Sequence, residues 1–301
     1  MCVHTHWIAD AVRPIPFNER STMSPKVVLI TGTSSGIGLA AAVSAAEAGW
    51  RTVATLRDPA RADALRKAAE TAGVELDIRQ LDVTDPSSVT AAVEGVVADY
   101  GRLDAVVNNA GAGHVGTIEN ETVEDVRRVM EVNFFGVVQV TKAALPHLRA
   151  AGGRLITVTS VGGVVGQPFN EAYCAAKFAV EGFMESLAPV AAKAGMTVSV
   201  VEPGAVATEF VSNLGIDPAA LIAAAGPYAA PLQAYVTRTQ TMFADSAQTP
   251  AQAAESVLEA LTAEQPAFRI QTSDWARAFT GTKLADLDGS KVLGLTSTYL
   301  G

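Results

Sequence analysis

The chain has 301 residues, a formal net charge of −9 and no Lys/Arg run, so it offers no electrostatic footprint for nucleic acid or an anionic membrane surface. Its most apolar stretches are strand-length or broken by charges and glycine, short of the roughly 20 residues a spanning helix needs. Cys2 and Cys174 make neither a disulfide framework nor a metal-ligand cluster, a usage that suits a reducing cytoplasm and excludes structural zinc.

Alanine and glycine dominate the apolar residues while aromatics make up 6 %, which suits helices lying close on a sheet and points to an α/β fold. The length exceeds the roughly 250 residues of a large single domain, so one core with additional ends is expected. These are an N-terminal arm over 1–24, a single domain over 25–275 and a C-terminal tail over 276–301. The arm mixes His4, His6, Trp7 and two prolines without the basic start and apolar core of a secretion signal. It reads as disordered, with Met23 an alternative start.

From Lys26 onward short β-branched runs alternate with alanine-rich helical patterns. That rhythm predicts βαβ units with right-handed crossovers, a doubly wound Rossmann fold with a parallel sheet between two helical layers. Strand-like runs occupy 26–31, 51–56, 74–81, 103–108, 154–159 and 197–202, with a weaker one at 268–271, giving six to seven strands. Helical spacing occupies 36–48, 58–71, 86–100, 123–150, 171–194 and 250–263. The stretch 205–246 breaks the rhythm with Pro218, Pro227 and Pro231. Following a strand's carboxyl end, where open sheets bind ligands, it reads as a helical substrate lid, with a purely packing excursion as the alternative.

Directly after the first strand comes Thr31-Gly32-Thr33-Ser34-Ser35-Gly36-Ile37-Gly38. Its glycines let backbone approach a pyrophosphate while the following helix presents its N-terminus, so the turn predicts anion binding. The glycine spacing differs from G-x-G-x-x-G. Asp82-Val83 closes the third strand, Asn108-Asn109-Ala110-Gly111 the fourth, and Ser160 the fifth. Asn133 lies in a helix, Tyr173-x-x-x-Lys177 opens the next, and Pro203-Gly204 with Val206 and Thr208 follows the sixth strand.

In this order the motifs resemble the short-chain dehydrogenase/reductase family over roughly residues 25 to 270. The resemblance implies a nicotinamide dinucleotide held by Gly32, Ser34, Ser35, Gly36, Ile37, Gly38, Asp82, Val83, Asn109, Ala110, Gly111, Pro203, Gly204, Val206 and Thr208. Asp82 is expected at the adenine edge. It further implies that Lys177 binds the nicotinamide ribose and that Asn133 helps hold a proton-relaying water. A homodimer or homotetramer through the helices at 123–150 and 171–194 is implied as well.

The chemistry also follows from the residues. Tyr173 and Lys177 share one helix face about a turn apart, so the ammonium is expected to pull the phenol below its usual pKa of about 10 and make it usable as a base. As an acid the phenol protonates a carbonyl oxygen held by the Ser160 hydroxyl. Singly, Ser160 reads as a strand-end cap and Asn133 as a helix-bending polar residue; with Tyr173 and Lys177 they form a catalytic set. Cys174 points away from its neighbour's face and reads as packing.

The second strand ends Thr55-Leu56-Arg57-Asp58. Arg57 can grip a ribose 2′-phosphate and stack on adenine, with Ser34 adding a hydrogen bond, which favours NADP(H). A one-residue change of register would aim Asp58 at the ribose and favour NAD(H); alternatively Asp58 caps the helix that starts near Pro59.

The stretch from Ser160 to Phe178 resembles the branch containing oestradiol 17β-dehydrogenase and related retinol dehydrogenases. The implied substrate is a small hydrophobic ketone, aldehyde or alcohol, steroid-, retinoid- or long-chain-like. Candidate pocket residues are Ser160, Val164, Gln167, Asn170, Tyr173, Val206, Phe210 and Leu214. Gln167 puts an amide where that branch has an apolar residue, and Met242 is the one counterpart found for its steroid-orienting residues. A 3-oxoacyl-thioester reductase is a rival reading, which the acidic balance and long lid oppose. A sensor that binds NADP(H) without turnover is another, opposed by the intact Asn-Ser-Tyr-Lys set. The tail after Asp274 is compatible with covering its own substrate mouth, covering a neighbour's, or fraying.

Overall fold

β1 (Val27–Thr31), buried along its whole length, lies inside a parallel sheet of seven strands ordered β3-β2-β1-β4-β5-β6-β7. The other strands are β2 (Arg51–Leu56), β3 (Asp77–Gln80), β4 (Ala105–Asn108), β5 (Arg154–Val158), β6 (Thr197–Glu202) and β7 (Arg269–Gln271). This computed structural model describes residues 24–208, 217–285 and 290–300. The arm up to residue 23, Phe210 and Leu214 lie outside the described residues.

From β1 the chain moves outward through β2 and β3, then returns to place β4 on the opposite side of β1. Strand order therefore reverses between β1 and β4. At such a switch point the loops after the two strands diverge and leave a crevice at the carboxyl edge.

Two apolar layers flank the sheet. On one face α3 (Pro86–Tyr100), α5 (Gly136–Ala151) and α6 (Glu171–Lys193) bury Val93, Val140, Leu148, Val180 and Met184 against Leu29, Val106 and Leu155. On the other, α1 (Gly36–Glu47) and α9 (Pro250–Thr262) meet through alanines, with Ala41, Ala45, Ala254 and Ala260 fully or almost fully buried. Small side chains let these helices approach each other and the strands closely, as the composition predicts.

Three expected elements differ. The third strand is shorter than 74–81, because Gly73 ends α2 (Asp63–Ala72) in the left-handed region and the next residues only descend to the sheet edge. Residues 58–62 form a 3-10 turn, Pro59–Arg61, before α2 begins. The helix expected over 123–150 is split into α4 (Val123–Met130) and α5 by a π segment, Glu131–Phe135. There the Asn133 amide Nδ2 donates to Val129 O at 3.0 Å, competing with the regular helical ladder.

Above the carboxyl edge of β5 and β6, α7 (Pro218–Ala224) and α8 (Ala229–Ser246) occupy the expected lid region. α10 (Asp274–Leu284), α11 (Ser290–Ser297) and a turn at Thr298–Leu300 fold back over the same end. Leu232 and Tyr235 from α8, Phe279 from α10 and Tyr299 from the final turn share an apolar cluster with Val161, Val164, Val165 and Phe169. The described part of the tail thus packs over the carboxyl end of the sheet.

Candidate active site

The turn between β1 and α1 is built so tightly that only glycine fits at key points. Gly32 and Gly36 adopt φ of +70° and +61°, the left-handed region where a side chain is strained. A Cβ on Gly32 would lie 2.7 Å from Ala110 Cα, and one on Gly38 would lie 2.2 Å from Asn109 Nδ2. Asn109 locks the arrangement: its Nδ2 donates to Thr31 O and Gly32 O at 2.9 Å each, and the Thr31 hydroxyl accepts from the backbone N–H of Asn109 and Ala110 at 3.0 Å. Ser35 precedes α1 without a side-chain bond to the helix N–H groups, which leaves them open to an anion.

This turn floors one end of a cleft of about 900 Å³ that runs across the switch point. Its walls include every residue assigned to the dinucleotide from sequence: Gly32, Ser34 to Gly38, Arg57, Asp82, Val83, Asn109 to Gly111, Pro203, Gly204, Val206 and Thr208, together with Tyr173 and Lys177. Arg61, not singled out from sequence, lines the same end as Arg57. The Asp58 carboxylate is engaged with the turn it opens, accepting from Ala60 N at 3.0 Å. Asp82 is similarly occupied, accepting from the Thr84 backbone and hydroxyl at 2.9 and 2.7 Å.

Farther along the cleft, Ser160 sits where β5 ends, and its hydroxyl accepts from Gly162 N at 3.0 Å and shares a hydrogen bond with the Tyr173 phenol. Lys177 is buried one helical turn below; its Nζ donates to Val158 O at 3.1 Å and lies 5.8 Å from the Tyr173 ring centre. Gly111 belongs to the same junction, since a Cβ there would come within 3.5 Å of that Nζ.

The expected lowering of the Tyr173 pKa is not found. Burial pushes the phenol up to about 12, the Ser160 hydrogen bond offsets only part of this, and Cys174 adds to the rise. Burial also brings Lys177 down to about 8, against the pull of Glu181. With its ammonium directed at Val158 O, Lys177 contributes less to the phenolate than the helical spacing implied. As it stands, the phenol is a proton donor at neutral pH. The Cys174 thiol, pushed up by burial to about 11, is inert packing.

Asn133 does not line the cleft. It is wholly buried and joins the π segment to the loop after β4: Oδ1 accepts from Ala112 N at 3.1 Å and Nδ2 donates to Ala112 O at 2.9 Å. Val164 is likewise removed from the pocket, because it packs under α8 and the C-terminal turn. Gln167 and Asn170 do line it, and Asn170 Nδ2 donates to the Tyr235 hydroxyl at 2.7 Å. Phe169, at φ +58°, is the one non-glycine residue among those described with a left-handed backbone. Its ring, edge-on to Tyr235 at 5.7 Å, and its carbonyl, accepting from Gly116 N, hold it there.

The remaining wall was missed from sequence. His114, Arg238, Thr239, Phe243, Trp275 and Tyr299 all face the cleft. On α8, Tyr235, Arg238, Thr239 and Met242 fall at helical spacing, a signal that could have assigned that face. His114 Nε2 and Glu121 Oε1 pair at 2.7 Å.

A family model described as short chain dehydrogenase matches residues 26–219. The chain belongs to the short-chain dehydrogenase family. It is 39 % identical over 275 residues to 17-beta-hydroxysteroid dehydrogenase type 1 of Mus musculus, covering 89 % of this chain and 79 % of that protein. It is 35 % identical over 292 residues to Retinol dehydrogenase 8 of Homo sapiens, covering 92 % and 91 %. Among solved structures, an alcohol dehydrogenase of Thermococcus sibiricus complexed with 5-hydroxy-NADP superposes with a TM-score of 0.66 at 26 % identity, covering 82 % of this chain and 95 % of that one. This short-chain dehydrogenase is accordingly an oxidoreductase. Its glycine cradle and open helix N-terminus fit the pyrophosphate of a dinucleotide. No helix among the described residues is long and apolar enough to cross a membrane, and no group of three or more His, Cys, Asp or Glu among them could hold a metal ion.

Proposed function

We propose that this protein interconverts a hydrophobic alcohol and its ketone or aldehyde with NADP(H), using Tyr173 as acid–base. The observation that carries the reading is the hydrogen bond between Ser160 and Tyr173, set over buried Lys177 in the same cleft as the glycine cradle. When bound, the nicotinamide supplies or takes up the hydride. Ser160 holds the substrate oxygen, and Tyr173 gives it a proton in reduction and removes one in oxidation. Lys177 binds the nicotinamide ribose, and Asn133 fixes the loop after β4 behind it.

NADP(H) is favoured because Arg57 and Arg61 line the adenosine end while the Asp58 carboxylate is already engaged by Ala60 N. An apolar, ring-bearing or long-chain substrate is supported by Val115, Val161, Met242, Phe243 and Trp275 in the cleft wall, and by the names of the steroid and retinol dehydrogenases among the relatives. We read α7 and α8 as the lid, with 25–275 as one domain. A homodimer or homotetramer fits the exposed Val123, Phe135 and Val190 along α4, the π segment and α6, and we read the protein as cytoplasmic.

The test is oxidation of NADPH and, separately, NADH with a panel of steroid, retinoid and aliphatic ketones and aldehydes. Faster turnover with NADPH on bulky apolar members is expected. Turnover confined to NADH or to small polar carbonyls would overturn the reading.

A further inference from the structure

One turn beyond Lys177, α6 carries a second buried charge that the acid–base reading leaves unused. Glu181 is 4 % exposed, as buried as Lys177 itself. Its Oε2 lies 2.9 Å from Arg269 Nη1 on β7, but off the N–H direction. Arg269 also reaches Glu185 at 2.7 Å and Glu202 of β6 at 3.3 Å. Those two acids are otherwise provided for: Glu185 extends into solvent, and Glu202 accepts from Gln271 Nε2 at 3.0 Å.

The turn that carries Ser160 rests directly on this segment. A Cβ on Gly163 would lie 3.0 Å from Glu181 Cγ and 3.1 Å from Lys177 O. At the neighbouring ends of β5 and β4, Thr159 acts on Glu181 and Gly111 lies against Lys177, both neutral. From α10, Lys283 stacks over the Phe178 ring at 3.9 Å. The charges around Glu181 and Lys177 are therefore each other, Glu185, Glu202, Arg269 and the more distant Lys283.

We propose that Glu181, braced by Arg269, is a positioning residue of the active site whose carboxylate is the buried counter-charge that keeps Lys177 cationic. A lysine removed from water loses its charge unless an opposite charge acts on it, and Glu181, though not in ion-pair contact with Lys177, is the equally buried acid one turn away on the same helix. The two groups act on each other's protonation in the expected sense, each favouring the other's charged form. Burial pushes Glu181 itself up to about 7; Thr159, Arg269 and Lys177 oppose that rise, and Glu202 adds to it. The carboxylate and the ammonium thus share a narrow pH range around neutrality in which both are charged.

The consequence for turnover rests on the proposed role of Lys177, but the electrostatic claim does not, so the deciding experiment is a direct titration. The Cε resonance of Lys177, from protein with 13C-labelled lysine and identified by its absence in Lys177→Met, is followed against pH in wild type and in Glu181→Gln. The wild-type midpoint is expected at about 8 and the Glu181→Gln midpoint below it. Glu181→Asp, which restores the charge, is expected to recover most of the difference. In the same proteins, kcat of Glu181→Gln falls several-fold near the wild-type Lys177 midpoint and recovers at lower pH, whereas a merely structural defect lowers it at every pH. Should Glu181→Gln fail to fold, the reciprocal measurement decides: the 13C carboxyl midpoint of Glu181 must rise above about 7 in Lys177→Met. An unchanged Lys177 midpoint in folded Glu181→Gln, or an unchanged Glu181 midpoint in Lys177→Met, overturns the proposal whatever the rates do. Loss of the rate effect alone, with the lysine midpoint shifted, would instead count against the acid–base reading.

Discussion

The side chain of Asn133 satisfies both backbone groups of Ala112, accepting from its N–H at 3.1 Å and donating to its C=O at 2.9 Å. Through this pair the π segment on one side of the sheet fixes the loop that forms the wall of the cleft. Asn133→Ala removes two hydrogen bonds to Ala112, whose exposed backbone can turn to water, and each such bond contributes about 0.5–1.5 kcal/mol net. Chemical denaturation is expected to show a loss of roughly 1–3 kcal/mol. A variant of wild-type stability but reduced kcat would show that Asn133 acts in the chemistry rather than through the loop.

Gly38 allows α1 to start against Asn109. Gly38→Ala places a methyl 2.2 Å from Asn109 Nδ2 and 2.4 Å from Gly32 O, both held by the hydrogen bonds of the turn. The strain of such overpacking is about 1–3 kcal/mol, so a thermal midpoint several degrees lower is expected, with dinucleotide affinity reduced in parallel. Unchanged affinity would place the dinucleotide elsewhere.

Arg57 distinguishes the two cofactors. Removing one charge-assisted hydrogen bond costs about 1.5–3 kcal/mol, so Arg57→Ala is expected to weaken NADPH roughly 10- to 100-fold in a fluorescence titration. NADH affinity should change little. Equal losses for both would mean that Arg57 meets a part of the cofactor common to the two.

Glu181 gives stability a pH dependence of known sign. Its folded value is raised to about 7 from 4.5, so between these values the native state holds a proton the unfolded chain has released. Stability from this group is present below 4.5 and declines as pH rises through 7. In Glu181→Gln that decline is absent, so denaturation curves of variant and wild type should diverge over this range in favour of the variant, by up to about 3 kcal/mol. Parallel behaviour would contradict the burial of an ionisable carboxyl there.

Local signals carried much of this protein. The glycine turn, the β-branched runs and the Tyr173–Lys177 pair depend on spacing along the chain, and the structure brings them to one cleft. What stayed hidden depends on distant partners. Asn133 in the π segment is held by Ala112, on the loop after β4 and 21 residues away along the chain. Val164, a pocket candidate from sequence, instead joins an apolar cluster with Phe279 and Tyr299, far along the chain, and is not in the cleft wall. The protonation of Tyr173 was misjudged for a related reason: helical spacing reports that Lys177 is near, not how far water is excluded from both.

The most direct test of the account is Tyr173→Phe, which removes one hydroxyl and keeps the ring. General acid–base groups typically contribute about 10²- to 10⁴-fold, so kcat for carbonyl reduction should fall by that order while NADPH affinity stays near wild type. Activity within about twofold of wild type would contradict the account, because no other group beside Ser160 is assigned to give or take the proton.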